Sequence, residues 1–228
     1  MKICGIEKFS MVDWDTKIVC TLFASGCNFR CPFCHNASLA LSNQAPLDEN
    51  EIFDYLEKRK GLLDGVCVSG GEPTLSHDLE DFIGKIKALG YKVKLDTNGT
   101  NPTMVQNLIS KGLVDYIAMD IKNSPEKYAT TTGLASISLD NILESVRIIK
   151  SSGIAHEFRT TIIKEFHTEN DLKRIADIVD GCDGYFLQQY VDRDSCISHG
   201  FTPIDKTTAE NWLNHFIGKA KRTSLRGY

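Results

Sequence analysis

The chain has 228 residues, 25% of them charged and 42% apolar, with 30 acidic against 26 basic side chains and a formal charge of -4. A chain of this size buries a sufficient core without disulfides or a structural metal, and the absence of any block of clustered Lys and Arg argues against general nucleic-acid binding. No apolar run reaches the ~20 residues that a membrane span requires, and the start, Met1-Lys2-Ile3-Cys4-Gly5-Ile6-Glu7, has no hydrophobic signal region, so a cytoplasmic protein is expected.

Taken in chain order, residues 1–16 read as an N-terminal extension ahead of a first strand at 17–24. A helix at 48–59, with Asp48 as its N-cap, leads to a strand at 65–69; a helix at 79–89, closed by Gly90, leads to a strand at 92–97. A helix at 104–111, closed by Gly112, precedes a strand at 116–121, and a helix at 140–151, closed by Gly153, precedes one at 157–163. The helix at 169–179 is capped by Thr168, the last strand falls at 185–189, and residues 191–228 form a C-terminal segment with a helix at 207–221.

β-Branched apolar runs alternating with amphipathic segments indicate parallel βα units. Units of ~30 residues or more allow about six of them, short of the eight in a closed barrel. The expected fold is therefore α/β, an open partial (β/α)6 barrel over residues 17–190 within a single domain spanning 1–228. A doubly wound flat sheet is the alternative, and in both architectures ligands sit at the carboxyl ends of the strands.

Eight cysteines are many for a reducing compartment, and Cys27, Cys31 and Cys34 fall in one loop directly after the first strand. Three thiolates at that spacing can wrap a compact inorganic core but leave one metal position open, whereas closed iron-sulfur and zinc sites take four ligands. Three readings compete: a Cys3His zinc site using His35, as in a zinc-stabilised binding module; a redox dithiol from Cys31-Pro32-Phe33-Cys34; and a 4Fe-4S cluster with an open fourth iron. The dithiol leaves Cys27 unexplained, and adjacent Cys34 and His35 reach one metal awkwardly. The cluster is favoured. Cys4, Cys20, Cys67, Cys182 and Cys196 read as small buried hydrophobes or incidental thiols, and His156, His167, His199 and His215 lack ligand spacing.

The Cys-x3-Cys-x2-Cys loop, with Phe33 just before its last cysteine, resembles the signature of radical S-adenosylmethionine (SAM) enzymes. Val68-Ser69-Gly70-Gly71-Glu72-Pro73, at the end of the second strand, matches the Gly-Gly-Glu-Pro that meets the methionine ammonium of SAM in that family. Asp96-Thr97-Asn98-Gly99, Met119-Asp120-Ile121-Lys122 and Phe158-Arg159-Thr160-Thr161 end the next three strands and resemble the branch that activates glycyl radical enzymes. The resemblance implies that Asp96 and Lys122 help hold SAM, that Asp96, Thr97 and Asp120 help form a monovalent-cation site, and that Arg159 approaches the SAM carboxylate or ribose. Phe33 is implied to lie near the adenine.

The opening, from Gly5 to Lys17, together with Cys34-His35-Asn36, is similar to that of the longer type of anaerobic ribonucleoside-triphosphate reductase activating protein. Where pyruvate formate-lyase activases place a histidine after the last barrel strand, this chain has Gln189, to which the resemblance transfers that contact. The implied function is reductive cleavage of SAM at a single 4Fe-4S cluster, generating a glycyl radical on a partner enzyme, with anaerobic ribonucleoside-triphosphate reductase foremost and a flavodoxin-like or ferredoxin-like reductant. An activase of the pyruvate formate-lyase type, or a radical SAM enzyme acting on a small molecule such as a deazapurine synthase, shares these features.

Overall fold

The computed structural model describes residues 1–228. Its eight strands form one sheet in chain order, from β1 (Ile3–Ser10) and β2 (Val19–Ala24) through β3 (Gly65–Gly70), β4 (Lys92–Thr97) and β5 (Tyr116–Asp120) to β6 (Ala155–Ile162), β7 (Cys182–Gln189) and β8 (Ala220–Arg226). β1 pairs antiparallel with β2, and every later pairing is parallel. Helices fill each crossover: α1 (Ala37–Ala40) and α2 (Glu49–Lys58), α3 (Leu79–Ala88), α4 (Pro102–Ser110), α5 (Tyr128–Thr132) and α6 (Leu139–Ser151), α7 (Glu169–Ile178) and α8 (Lys206–Leu213). Six βα units run from β2 to α8, and the sheet does not close, since β1 and β8 are not paired with each other. This is the expected partial barrel with a strand added at each edge.

The two additions lie where the sequence shows the weakest period. Residues 1–16 contribute β1, in which Glu7, Lys8 and Phe9 are exposed. The expected helix at 207–221 stops at Leu213, and a 3-10 turn over Asn214–Phe216 follows. Apolar Trp212 and Phe216 continue the helical pattern, but Phe216 stacks flat on Tyr185 at 3.7 Å and Gly218 takes a φ of +82°, which turns the chain into β8. β8 is mostly polar, so its alternation carried no apolar signal; its inward side chains, Arg222 and Arg226, meet other charges.

Punctuation of the helices follows the sequence. The Asp48 carboxylate accepts from the Asn50 amide at 2.9 Å, and Thr168 and Asp171 form a reciprocal capping box at the start of α7. A continuous cluster of 46 buried apolar residues joins the helices to the outer face of the sheet. Cys20 and Leu22 of β2, Val66 and Val68 of β3, and Val93 and Leu95 of β4 all belong to it and are at most 0% exposed. The alternate residues of those strands face inward, where the arc's interior is largely polar and charged.

The lower end of that interior is filled by the turn between β1 and β2. Its Asp13 carboxylate accepts from the Thr21 hydroxyl at 2.6 Å, Trp14 tilts against Tyr116 at 5.7 Å, and Asp15 pairs with Arg226 at 3.2 Å. This turn thereby ties β2, β5 and the last strand together. No helix is long and apolar enough to cross a membrane.

Candidate active site

At the carboxyl ends of β2 to β6 lies a cavity of about 210 Å³, lined by Cys27, Cys31, Cys34, Phe33, Gly70, Gly71, Asp96, Thr97, Asp120, Lys122 and Arg159. Eleven of the thirteen residues expected to act thus surround one space, although they come from five strand ends. Glu72 and Gln189 do not line it.

Glu72 is 2% exposed and its carboxylate lies behind the cavity wall. It accepts from the Thr74 amide at 3.0 Å, the Thr74 hydroxyl at 2.5 Å, the Thr97 hydroxyl at 2.7 Å and the Asn98 amide at 2.5 Å. Burial raises its pKa despite these donors. In this arrangement the carboxylate ties the end of β3 to the turn after β4, rather than facing a ligand. Gln189 lies at the end of β7 beside Gly227.

The double glycine has a reason independent of any ligand. A Cβ on Gly71 would lie 2.0 Å from the Gly26 carbonyl oxygen, and one on Gly70, whose φ is +110°, would lie 2.4 Å from the Ala24 amide nitrogen. Their absent side chains let the end of β3 run against the backbone that leads into the cysteine loop. Two amides seal this contact: Gly71 donates to the Ala24 carbonyl at 2.9 Å and Glu72 to the Gly26 carbonyl at 2.8 Å.

The cysteine loop is held from the other side by α5, where the Arg30 amide donates to the Thr132 carbonyl at 2.8 Å. Phe33, 5% exposed, tilts against Phe166 at 5.7 Å and presents an apolar wall. Around the sulfurs, the Phe29 amide approaches Cys27 Sγ at 3.4 Å and Asn98 Nδ2 approaches it at 3.8 Å. Burial raises the Cys27 thiol and pushes that of Cys31 up to about 12, so both deprotonate only with a compensating cation, as metal binding supplies.

Three thiols from one loop line the cavity, which suits a cluster with one open corner, whereas a structural zinc ion takes a fourth ligand. His35, the fourth ligand of the zinc alternative, instead places Nε2 2.7 Å from the Val191 carbonyl and stacks on Tyr190.

Opposite the sulfurs is a charged wall. Asp120 accepts from Lys122 at 2.9 Å and from Arg159 Nε at 2.9 Å, and Asp96 accepts from Lys94 at 2.7 Å and meets Arg159 at 3.5 Å. Burial alone would raise the Asp120 carboxyl, yet Arg159 and Lys122 hold it well below the usual carboxylate range. Burial likewise opposes the charge on Lys122, and Asp120 more than restores it. Each cation keeps N–H groups free for a ligand, because an ammonium has three donors and a guanidinium five.

Sequence reasoning did not single out Ser69, Asn98 or Thr161, which also line the cavity. Ser69 donates to Asp96 at 3.0 Å, and Asn98 links Cys27 to Asn28, its Nδ2 lying 2.9 Å from Asn28 Oδ1. Ser69 adjoins the glycine pair and Asn98 follows Asp96-Thr97, so proximity to the motifs was the available signal. Lys94 was also missed. Two positions before Asp96 on β4, it has the strand alternation that puts both side chains on the interior face.

The radical SAM superfamily description matches residues 21–179 of this chain, which contain both the cysteine loop and every charged group of the cavity. The chain belongs to the radical SAM superfamily. As a radical SAM enzyme it takes a 4Fe-4S cluster on three cysteines, with SAM as the second cofactor. Among similar sequences, one from Methanocaldococcus jannaschii assigned as the glycyl-radical enzyme activating enzyme MJ1227 is 34% identical over 85% of this chain and 81% of its own. A pyruvate formate-lyase-activating enzyme of Listeria monocytogenes is 35% identical over 58% of this chain and 57% of its own. Among solved structures, Streptococcus suis SuiB superposes with a TM-score of 0.70 at 15% identity, covering 92% of this radical SAM protein, which spans about half (49%) of the SuiB chain. A domain of a Bacteroides vulgatus pyruvate-formate lyase-activating enzyme gives a TM-score of 0.59 at 16% identity, covering 72% of this chain and 99% of that one. Both structures share the fold.

Proposed function

We propose that the protein is an activase: Cys27, Cys31 and Cys34 would hold the cluster, the charged wall would face SAM, and a glycine of a partner enzyme would be the site of hydrogen abstraction. The observation that carries this reading is that three thiols, a bare glycine backbone and two part-free cations surround one cavity at the strand ends. A reduced cluster held there would supply the electron needed for reductive cleavage of SAM.

The chain's own residues orient and enclose. Lys122 and Arg159, anchored by Asp120, offer donors to the carboxylate of the methionine moiety, and Phe33 offers its face to the adenine. Gly70 and Gly71 let the ligand approach backbone closely, while Glu72 keeps that backbone in place from behind. The buried walls exclude water and stray hydrogen donors, which a radical intermediate requires.

For the partner, the similarity to the Methanocaldococcus sequence over 85% of this chain supports a glycyl radical enzyme. The opening from Gly5 to Lys17, and Gln189 in place of a histidine, favour anaerobic ribonucleoside-triphosphate reductase over pyruvate formate-lyase. A flavodoxin-like or ferredoxin-like donor would supply the electron. The test is to mix the reduced, cluster-loaded protein and SAM with an anaerobic ribonucleotide reductase and record electron paramagnetic resonance. A glycine-centred doublet is expected. No doublet with the reductase, but one with a formate-lyase, would transfer the assignment to the other partner; no SAM cleavage at all would remove it.

A further inference from the structure

The resemblance that implies SAM binding also implies a monovalent cation beside Asp96, Thr97 and Asp120, and in this structure those three groups do not form such a site. The Thr97 hydroxyl donates to Glu72 at 2.7 Å and accepts from the Gly99 amide at 3.1 Å. Asp120 is held by Lys122 and Arg159. Asp96 has Ser69 and Arg159 on one oxygen and Lys94 on the other. Asp96 and Asp120, with Glu157 3.9 Å from Arg159, thus face Lys94, Lys122 and Arg159, so protein cations already match these carboxylates.

Lys94 is the unusual member. Lysine is rarely fully buried unless paired, yet this side chain is 3% exposed. Its ammonium lies 2.7 Å from Asp96 Oδ1 and 2.6 Å from the Asp13 carbonyl oxygen, a carboxylate above and a backbone carbonyl below. Those are hard oxygen ligands of the kind an alkali ion takes. Burial opposes charge on Lys94, but Asp96 outweighs it and raises its pKa, while Arg159 and Lys94 keep Asp96 ionised despite its burial. An additional ion here would leave the interior with uncompensated positive charge, a costly state in a low-dielectric site.

We infer that the Lys94 ammonium is a built-in replacement for the monovalent cation, so that this protein binds SAM without recruiting potassium or sodium. The Asp13 carbonyl that seats it belongs to the turn between β1 and β2, which gives the N-terminal segment a part in ordering the floor of the site.

The inference rests on the proposed SAM site, and the experiment separates the two. SAM affinity is measured by equilibrium dialysis on the cluster-loaded, unreduced protein in potassium, sodium and tetramethylammonium chloride at equal ionic strength. The wild type is expected to bind equally in all three salts. Lys94→Met, which keeps the length and removes the charge, is expected to bind at least about thirtyfold more weakly in tetramethylammonium and to recover in potassium, the lower end of the loss found when one partner of a buried charge pair is removed. Wild-type binding that collapses in tetramethylammonium and returns with potassium would overturn the inference, and this arm needs no variant should Lys94→Met fail to fold. A folded Lys94→Met with undiminished, salt-independent binding would overturn it too. Failure of the wild type to bind SAM in any salt would remove the site itself, and the inference with it.

Discussion

The upper and lower ends of the sheet interior are built from similar materials for opposite ends. Above, three cysteines, a charged wall and bare glycines leave about 210 Å³ of space. Below, another cysteine, Cys67, is packed with Trp14 and Val19 in a small buried cluster, and charges pair among themselves: Arg226 meets both Glu157 oxygens, at 2.7 and 2.9 Å, and lies 3.6 Å from the Phe186 ring centre. What separates the two is completeness of partnering. Below, the Glu157 carboxylate also receives the Tyr116 hydroxyl, and the turn between β1 and β2 fills the remaining volume. Above, Lys122 and Arg159 retain free donors and the sulfurs have no strong partner. A site for chemistry is therefore recognised by what its polar groups lack.

The largest expected effect breaks the symmetry between the cysteines. Cys31→Ala should lose bound iron and all reductive SAM cleavage, since a cluster gripped at two corners is not retained. Cys67→Ala should keep both at the cost of about 1 kcal/mol of stability, as for a small core truncation. Iron and sulfide analysis of the two proteins, prepared anaerobically side by side, decides the matter; equal iron in both would contradict the ligand assignment.

The next tests the lower charges. Glu157 is 2% exposed, so Glu157→Gln leaves Arg226 and Arg159 short of a buried counter-charge and should cost about 3 kcal/mol in urea unfolding. Burial alone would raise the Glu157 carboxyl, but Arg226 and Arg159 bring it below the ordinary glutamate range. A carboxylate with a depressed folded pKa stabilises above its unfolded value, about 4.3, and the contribution is lost as pH falls through the folded value. Wild-type stability should therefore drop below about pH 4, and Glu157→Gln should lose less over the same window; parallel pH profiles would show that Glu157 does not hold the lower end.

The smallest effect concerns a single hydrogen bond. Tyr116→Phe removes the hydroxyl that donates to Glu157 at 2.9 Å while keeping the ring against Trp14. A loss of about 1 kcal/mol is expected, near the usual net value for one hydrogen bond. A shift in SAM affinity without a shift in the urea midpoint would instead place Tyr116 in the upper site.

Most of the upper site was legible in the sequence because its motifs are local: the cysteine spacing, the double glycine, and Asp96-Thr97, Asp120 and Arg159 at the ends of runs that read as strands. The lower end was not. Lys94, Glu157 and Arg226 sit on strands in positions that alternation makes inward-facing, but a charged inward residue reads as a solvent-facing one until the partner from another strand is known. The same ambiguity hid β8, whose inward face is Arg222 and Arg226, and it turned the last helix into one that seemed to run to residue 221.

The sequence by itself determined the order of βα units, the caps, the cysteine loop and the superfamily, because each rests on contacts between residues close in the chain or on a spacing that one loop can carry. Only the tertiary structure decided that Glu72 supports the site from behind, that His35 is turned to a backbone carbonyl, and that Lys94 lies beneath Asp96. Those are contacts between groups 25, 156 and 81 residues apart, at Thr97, Val191 and Asp13 respectively. Such pairs are set by the curvature of the sheet and the depth of burial, and neither quantity is written in any local stretch of chain.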